Sequence, residues 1–226
     1  MKRIARLSAL AAALSMMLAG WAGAADQMVL GRSLVVKNPG APQARKVTGS
    51  AKEVDSSATI VGNPTIKSSV GGAFPGSPGG AILTLIAHGN DPTHQVFPLK
   101  QGTTSTGKPF WRVSTGNTGF KYKDPKGDQG AVKVVVIKRT LSGVFSIKAV
   151  IRGKNGTLNV MPPNLGTDGF MTLLLGAGGD RYCVKYGSDG GVKNDGDRLF
   201  KVRRPVIEGC PLTGSPSGAF LDRSLD

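Results

Sequence analysis

Phe145-Ser146-Ile147-Lys148-Ala149-Val150-Ile151-Arg152 alternates, with an apolar residue at every second position. Phe145, Ile147, Ala149 and Ile151 share one side of an alternating pattern, and Lys148 and Arg152 share the other. A period of two is the signature of a β-strand with one dry face, whereas an amphipathic helix would repeat its apolar residues at three and four. The same kind of short apolar or alternating run recurs along the chain. It is found at Ser33–Lys37, Ala58–Val61, Ala81–Ala87, Phe110–Ser114, Phe120–Lys123, Val132–Lys138, Val144–Arg152, Phe170–Leu175, Arg181–Tyr186 and Leu199–Arg203. Between these runs lie turn formers such as Asn38-Pro39-Gly40, Asp124-Pro125-Lys126-Gly127 and Gly187-Ser188-Asp189-Gly190-Gly191. Glycine admits positive φ, proline fixes φ, and Asx side chains bond their own backbone. No long run with helical period and caps interrupts the series, so the expected fold is all-β, a sandwich of short antiparallel strands.

The two halves of the chain resemble each other. Val36-Lys37-Asn38-Pro39-Gly40 parallels Tyr122-Lys123-Asp124-Pro125-Lys126, and Lys46-Val47 parallels Lys133-Val134. Leu83-Thr84-Leu85-Ile86 parallels Met171-Thr172-Leu173-Leu174, and Phe110-Trp111-Arg112-Val113 parallels Leu199-Phe200-Lys201-Val202. The spacing predicts two duplicated units, Ig-like or jelly-roll-like, over 29–114 and 117–210, followed by a tail at 211–226. Either each unit forms its own small sandwich, or both contribute to one; the shortage of aromatics in each favours close packing.

Residues 1–25 read as a secretory signal peptide: Lys2, Arg3 and Arg6 precede an apolar run from Leu7 to Trp21, and Ala22-Gly23-Ala24 supplies the small residues of a cleavage site. The apolar run is shorter than the ~20 residues a membrane helix needs. The expected location is therefore secreted or periplasmic, with no membrane span. In that compartment disulfides persist, and Cys183 and Cys210 are the only two cysteines, so they are expected to be joined.

Composition excludes several functions. Two cysteines cannot hold a four-thiolate metal site, and His88, His94, Cys183 and Cys210 lack the close cysteine pairing of a mixed zinc site. Gly102-Thr103-Thr104-Ser105-Thr106-Gly107-Lys108 has P-loop spacing, but Pro109 stands where a magnesium-binding hydroxyl belongs and a strand follows. His88, Asp91 and His94 bracket a turn without a further ligand, and Asn194-Asp195-Gly196-Asp197 lacks the register of a calcium loop. Glutamate occurs only at Glu53 and Glu208, and Gly214-Ser215-Pro216-Ser217-Gly218 is no nucleophile elbow. No catalytic residue, metal or cofactor is assigned. The alternative is a secreted hydrolase whose site is assembled in space.

Leu34-Val35-Val36-Lys37-Asn38-Pro39 with Arg45-Lys46, Gly119-Phe120-Lys121-Tyr122-Lys123-Asp124 and Arg181-Tyr182-Cys183-Val184-Lys185-Tyr186 together resemble an uncharacterised family of secreted bacterial β-sandwich modules. That resemblance implies export and a β fold, and it brings no activity or site residue with it.

Charge gives the functional direction. The chain has 29 basic and 14 acidic residues. Nine of the basic ones fall between Lys121 and Lys154, against Asp124 and Asp128. Alternation predicts Lys121, Lys123, Lys148 and Arg152 on one outward sheet face, where their summed field would attract anionic cell-surface or extracellular polymers. No recognised nucleic-acid motif accompanies them. The expectation is a non-enzymatic protein of structural or binding type.

Overall fold

The computed structural model describes residues 25–67, 79–176, 178–206 and 210. The predicted signal peptide at 1–25, except Ala25, and the tail at 211–226 lie outside them. Among the described residues twelve strands follow in order: β1 (Asp26–Met28), β2 (Gly31–Lys37), β3 (Lys46–Glu53), β4 (Ala81–Ala87), β5 (Thr93–Leu99), β6 (Trp111–Val113), β7 (Gly119–Lys123), β8 (Val132–Arg139), β9 (Phe145–Arg152), β10 (Gly169–Leu175), β11 (Arg181–Asp195) and β12 (Leu199–Val206). The chain is all-β, and its sheets pack as a sandwich.

The strands form one hydrogen-bonded path, β5-β4-β10-β11-β12-β2-β3-β9-β8-β7-β6. The path folds over on itself because each strand has a dry face to bury. β11 makes the corner. Its first part pairs with β10 and its last part with β12, with a register shift between Gly187 and Val192 at the glycine-rich stretch the sequence suggested as a joint. A bulge of this kind bends a strand without ending it. The inner faces meet at Phe145 of β9 and Tyr182 of β11, whose rings stack at 5.6 Å. They meet again where Met171 of β10 comes close to Gly49 of β3.

Strands from 29–114 and 117–210 interleave, at β12-β2, β3-β9 and β4-β10. Exchanging β2 with β7, β3 with β8, β4 with β10, β5 with β11 and β6 with β12 preserves every pair of the path but one, with β9 between β3 and β8; the β11-β12 ladder falls on β5 and β6, which share no ladder. The registers follow: Phe200↔Val36 maps onto Trp111↔Tyr122, and Leu85↔Gln95 onto Leu173↔Tyr182. The two ends of the path are linked by the hairpin that joins β5 to β6, through Phe110 N–H to Gly102 O at 3.0 Å and Trp111 Nε1 to Leu99 O at 3.1 Å.

Several expectations change in detail. The Ala58–Val61 run is no strand; its backbone is tied instead to the Tyr182 hydroxyl, which accepts from Val61 N at 2.7 Å and donates to Thr59 O at 3.0 Å. Strands β1, β3 and β5 were not expected as strands. The 124–127 turn is fixed by the buried Asp124 carboxylate, which accepts N–H groups of Gly127, Asp128 and Gln129, and Gly127 takes φ +84 there, a value open to glycine.

Cys183 and Cys210 form the expected disulfide, with Cα atoms 5.4 Å apart. Closing a loop of 27 residues contributes about 3 to 4 kcal/mol in the chain-entropy account. The Cys183→Ala/Cys210→Ala protein is expected to melt roughly 10 °C lower by calorimetry, given the usual ~2–4 °C per kcal/mol at this size. An unchanged melting temperature would contradict that contribution.

All three tyrosines are buried. Burial pushes the Tyr122 and Tyr186 phenols well above their ordinary range, and Tyr182 up to about 12. A group whose value is raised on folding stabilises the fold below its unfolded value, near ~10, and that contribution is lost as pH rises through the folded one. Tyrosinate absorbance is therefore expected to appear only together with loss of near-ultraviolet dichroism above about pH 10. Ionisation of any tyrosine in the folded protein at pH near 10 would refute this.

Candidate functional site

Register turns the alternation of single strands into rows across the layer β12-β2-β3-β9-β8-β7-β6. One outward row passes from Arg112 on β6 through Lys121, Val136 and Lys148 to Ser50 on β3. The next runs Lys123, Val134, Val150, Thr48, Val35, Lys201 and Lys193. A third runs Arg152, Lys46, Lys37 and Leu199 to Asp195, and Lys138 and Lys52 flank Ser146 on a fourth. The intervening rows, such as Trp111-Tyr122-Val135-Ala149-Gly49-Leu34-Val202, point inward.

The four residues singled out from the sequence thus share a face. Lys121, Lys123 and Lys148 are exposed, and Arg152 is half-buried, its buried Nε without a hydrogen-bond partner among the described residues. Sequence reasoning missed Lys37, Lys46, Lys52, Arg112, Lys138, Lys193 and Lys201, which register brings to the same face. Against these eleven cations the rows hold one acid, Asp195, at the hairpin corner.

Several of the cations oppose each other directly: Arg112↔Lys121, Arg152↔Lys46, Lys46↔Lys37 and Lys201↔Lys193. Like charges opposed across a strand pair are destabilising. Strands lie ~4.8 Å apart, so cations on alternate strands stand roughly 10 Å from each other. That matches the ~8–10 Å Debye length near physiological ionic strength, and the fields add. The face offers no outward aromatic ring in these rows; Val, Thr and Ser fill the gaps. It is built for diffuse attraction, and it lacks the stacking surface that unpaired bases use.

The opposite layer holds a second polar group. His88, just past β4, and Asp168, just before β10, lie side by side because His88 N–H bonds Asp168 O at 2.9 Å and Thr167 N–H bonds His88 O at 2.9 Å. His88 Nδ1 sits 3.1 Å from Asp168 Oδ2, and the Thr167 hydroxyl donates to Asp168 Oδ1 at 2.8 Å. Phe170 meets the His88 ring edge-on, and Lys185 Nζ lies 5.5 Å over the Phe170 ring. Burial opposes the charge on Asp168, but hydrogen bonds from His88 and Thr167, with the charges of His88 and Lys185, hold its carboxyl below the ordinary range. A base and its orienting carboxylate are two parts of a hydrolytic triad. The hydroxyl bonded here, Thr167, is spent on the carboxylate rather than aimed at the imidazole.

His94 is exposed on β5 and joins no metal-ligand group with His88 and Asp91 among the described residues. Asp26, Cys183 and Cys210 do bring donor atoms within 4.8 Å of one another. The two sulfurs are bonded to each other, so no thiolate pair is offered. No helix among the described residues is long and apolar enough to cross a membrane. Compared with known proteins, the chain matches no family model, no curated protein and no solved structure.

A carboxyl depressed on folding contributes stability above its ordinary value, near ~3.9, and loses it as pH falls through the folded value. Asp168→Asn is therefore expected to flatten the fall in melting temperature below about pH 4. An acid limb identical to that of the parent would show that Asp168 carries none of it.

Proposed function

We propose that this is an exported, non-enzymatic protein that binds anionic polymers through the outward face of the β12-to-β6 layer. The observation that carries the reading is the set of directly opposed cations. A surface meant for solubility alone gains most from mixed signs, which add cross-strand attraction as well as hydration. Here Lys46 stands between Lys37 and Arg152. Such an arrangement costs stability and is retained where a partner's negative charge relieves it.

The partner class follows from the side chains. Nine of the eleven cations are lysines, point charges on flexible stems, and two are arginines with a planar fork. This supports attraction to a repeating anionic surface over bidentate recognition of one group. Cell-surface or extracellular polymers suit an exported protein, and the basic leader with its small-residue cleavage site supports export. The exchange symmetry of the pairing order supports reading 29–114 and 117–210 as copies of one unit.

A second reading, a secreted hydrolase, rests on His88 and Asp168. It requires a nucleophile near the imidazole, and a hydrolytic activity lost in the His88→Ala/His94→Ala protein would favour it.

The binding reading makes a two-sided claim about Lys46. Lys46→Gln is expected to raise the melting temperature by a degree or two at low salt, since each like-charge pair removed is worth a few tenths of a kcal/mol. The same substitution is expected to lower the salt concentration that elutes the protein from a dextran sulfate column. Retention of the parent should itself collapse by ~0.5 M salt, where the Debye length falls to roughly 4 Å. If retention is unaffected by salt and by Lys46→Gln, the basic face is not the binding surface.

A further inference from the structure

Besides the β11-β12 ladder, which has no β5-β6 counterpart, the exchange that maps one half of the pairing path onto the other fails at one place. In the second half, the edge of β11 is extended by β1, which lies parallel to it with Asp26↔Arg181, Gln27↔Tyr182 and Met28↔Cys183 in register. The bonds that seat it run from Arg181 N to Ala25 O and from Val29 N to Cys183 O, both 2.9 Å. Under the exchange, Arg181 and Cys183 correspond to His94 and Val96 of β5. Yet β5 pairs only with β4 among the described residues.

The corresponding backbone groups are turned outward. Pro98 has no N–H and faces Ile82, so this pair cannot exchange two ladder bonds. The narrow hydrogen-bonded pairs therefore fall at Gln95 and Phe97, and the peptide groups of His94 and Val96 point away from β4. Val96 is 53% exposed. An unpaired row of this kind is a template for another strand.

The far side of the gap is already shaped. An extended segment at 157–161 runs past β5 at side-chain reach: Gln95 Nε2 donates to Thr157 O at 3.1 Å, Gln95 Oε1 accepts from Asn159 N at 2.8 Å, and Thr93 Oγ1 bonds both Met161 N and Met161 O. Between β5 and the entry to β8 lies a cavity of about 280 Å³, lined by Phe97, Leu99, Tyr122, Gln129 and Val132 among others, none of them charged. Its borders in sequence are Lys100 and Lys133, while the nearby Asp128 carboxylate is occupied by Ser105 N–H.

We propose that the free edge of β5 takes an extended peptide from a partner protein, added as a strand in the way β1 is added to β11. The peptide presents an aliphatic side chain to the uncharged cavity and acidic residues to the flanking lysines. His94 and Val96 supply the main-chain bonds, and β1 itself is held elsewhere by two hydrogen bonds that the Arg181 guanidinium donates to the Asp26 carboxylate and by one that Gln27 Nε2 donates to Asp180.

The test uses the full mature chain and the capped peptide Glu-Val-Thr-Val-Thr-Val-Glu, with two N-methylated versions blocking one or the other edge of the strand. Amide exchange at His94 and Val96 is expected to slow at least tenfold with the parent peptide, while Gln95 and Phe97, bonded to β4, stay protected throughout. One N-methylated version should bind like the parent and the other at least tenfold more weakly. Val96→Pro, which deletes an outward N–H without touching the ladder, should weaken binding similarly in a protein whose dichroism matches the parent. The proposal is overturned if the peptide does not bind. It is equally overturned if the peptide binds without protecting His94 and Val96, or if both N-methylated versions bind alike, which is the pattern of acidic residues merely adhering to the basic face.

Discussion

Gly49 carries no side chain, and the two layers of the sandwich close on it. A Cβ there would stand 2.7 Å from the Met171 sulfur and 3.2 Å from the Tyr186 hydroxyl. The inward row that contains Gly49 tapers toward it, from Trp111 and Tyr122 at the β6 end through Val135 and Ala149. The opposite layer fills the hollow with Met171, Tyr182 and Tyr186, all fully buried. Large residues in one layer face small ones in the other, which is how two curved sheets reach interior packing density. Everything outside depends on this contact. Once the inner rows are committed to it, every second residue of each strand must face water, and the lysines have a single face to occupy.

That constraint also explains which parts were legible in the chain. Ala81–Ala87 and Phe145–Arg152 alternate cleanly because each has one dry face, and the strands fall where the pattern puts them. Thr93–Leu99 hid behind Pro98 and polar neighbours, features of an edge strand with fewer apolar residues to show. Asp26–Met28 is too short to carry a period. The basic face was visible only where its charges are close in sequence. Lys121, Lys123, Lys148 and Arg152 lie on β7 and β9, but their neighbours Lys46, Lys37 and Lys201 join them through register, which no local pattern encodes. Asp168 stands 80 residues from His88, so nothing in the stretch around the histidine announces its partner.

The two polar features of the molecule differ in what they ask of a ligand. The basic face is broad, repetitive and without a pocket or ring, so it can hold an anionic chain in many positions, with little discrimination and strong dependence on salt. The β5 edge is narrow and directional. Backbone groups fix the register of whatever joins it, and the uncharged cavity beneath Phe97 and Leu99 disfavours charged side chains.

Both features follow from how the pairing path begins and ends. A sheet that closed completely would have no edge, as in barrels. Here closure is made by the hairpin at Gly102–Phe110 and the Trp111 bond to Leu99, at one end of β5 alone. Along the rest of β5, side chains of Gln95 and Thr93 reach the 157–161 backbone in place of a ladder. Pro98 blunts the edge against unlimited pairing, because a proline can accept but not donate. A short edge with one donor removed tolerates a single extended segment and discourages a growing stack. The second half of the molecule spends its equivalent edge on its own β1, which leaves β5 as the place where the path meets another chain.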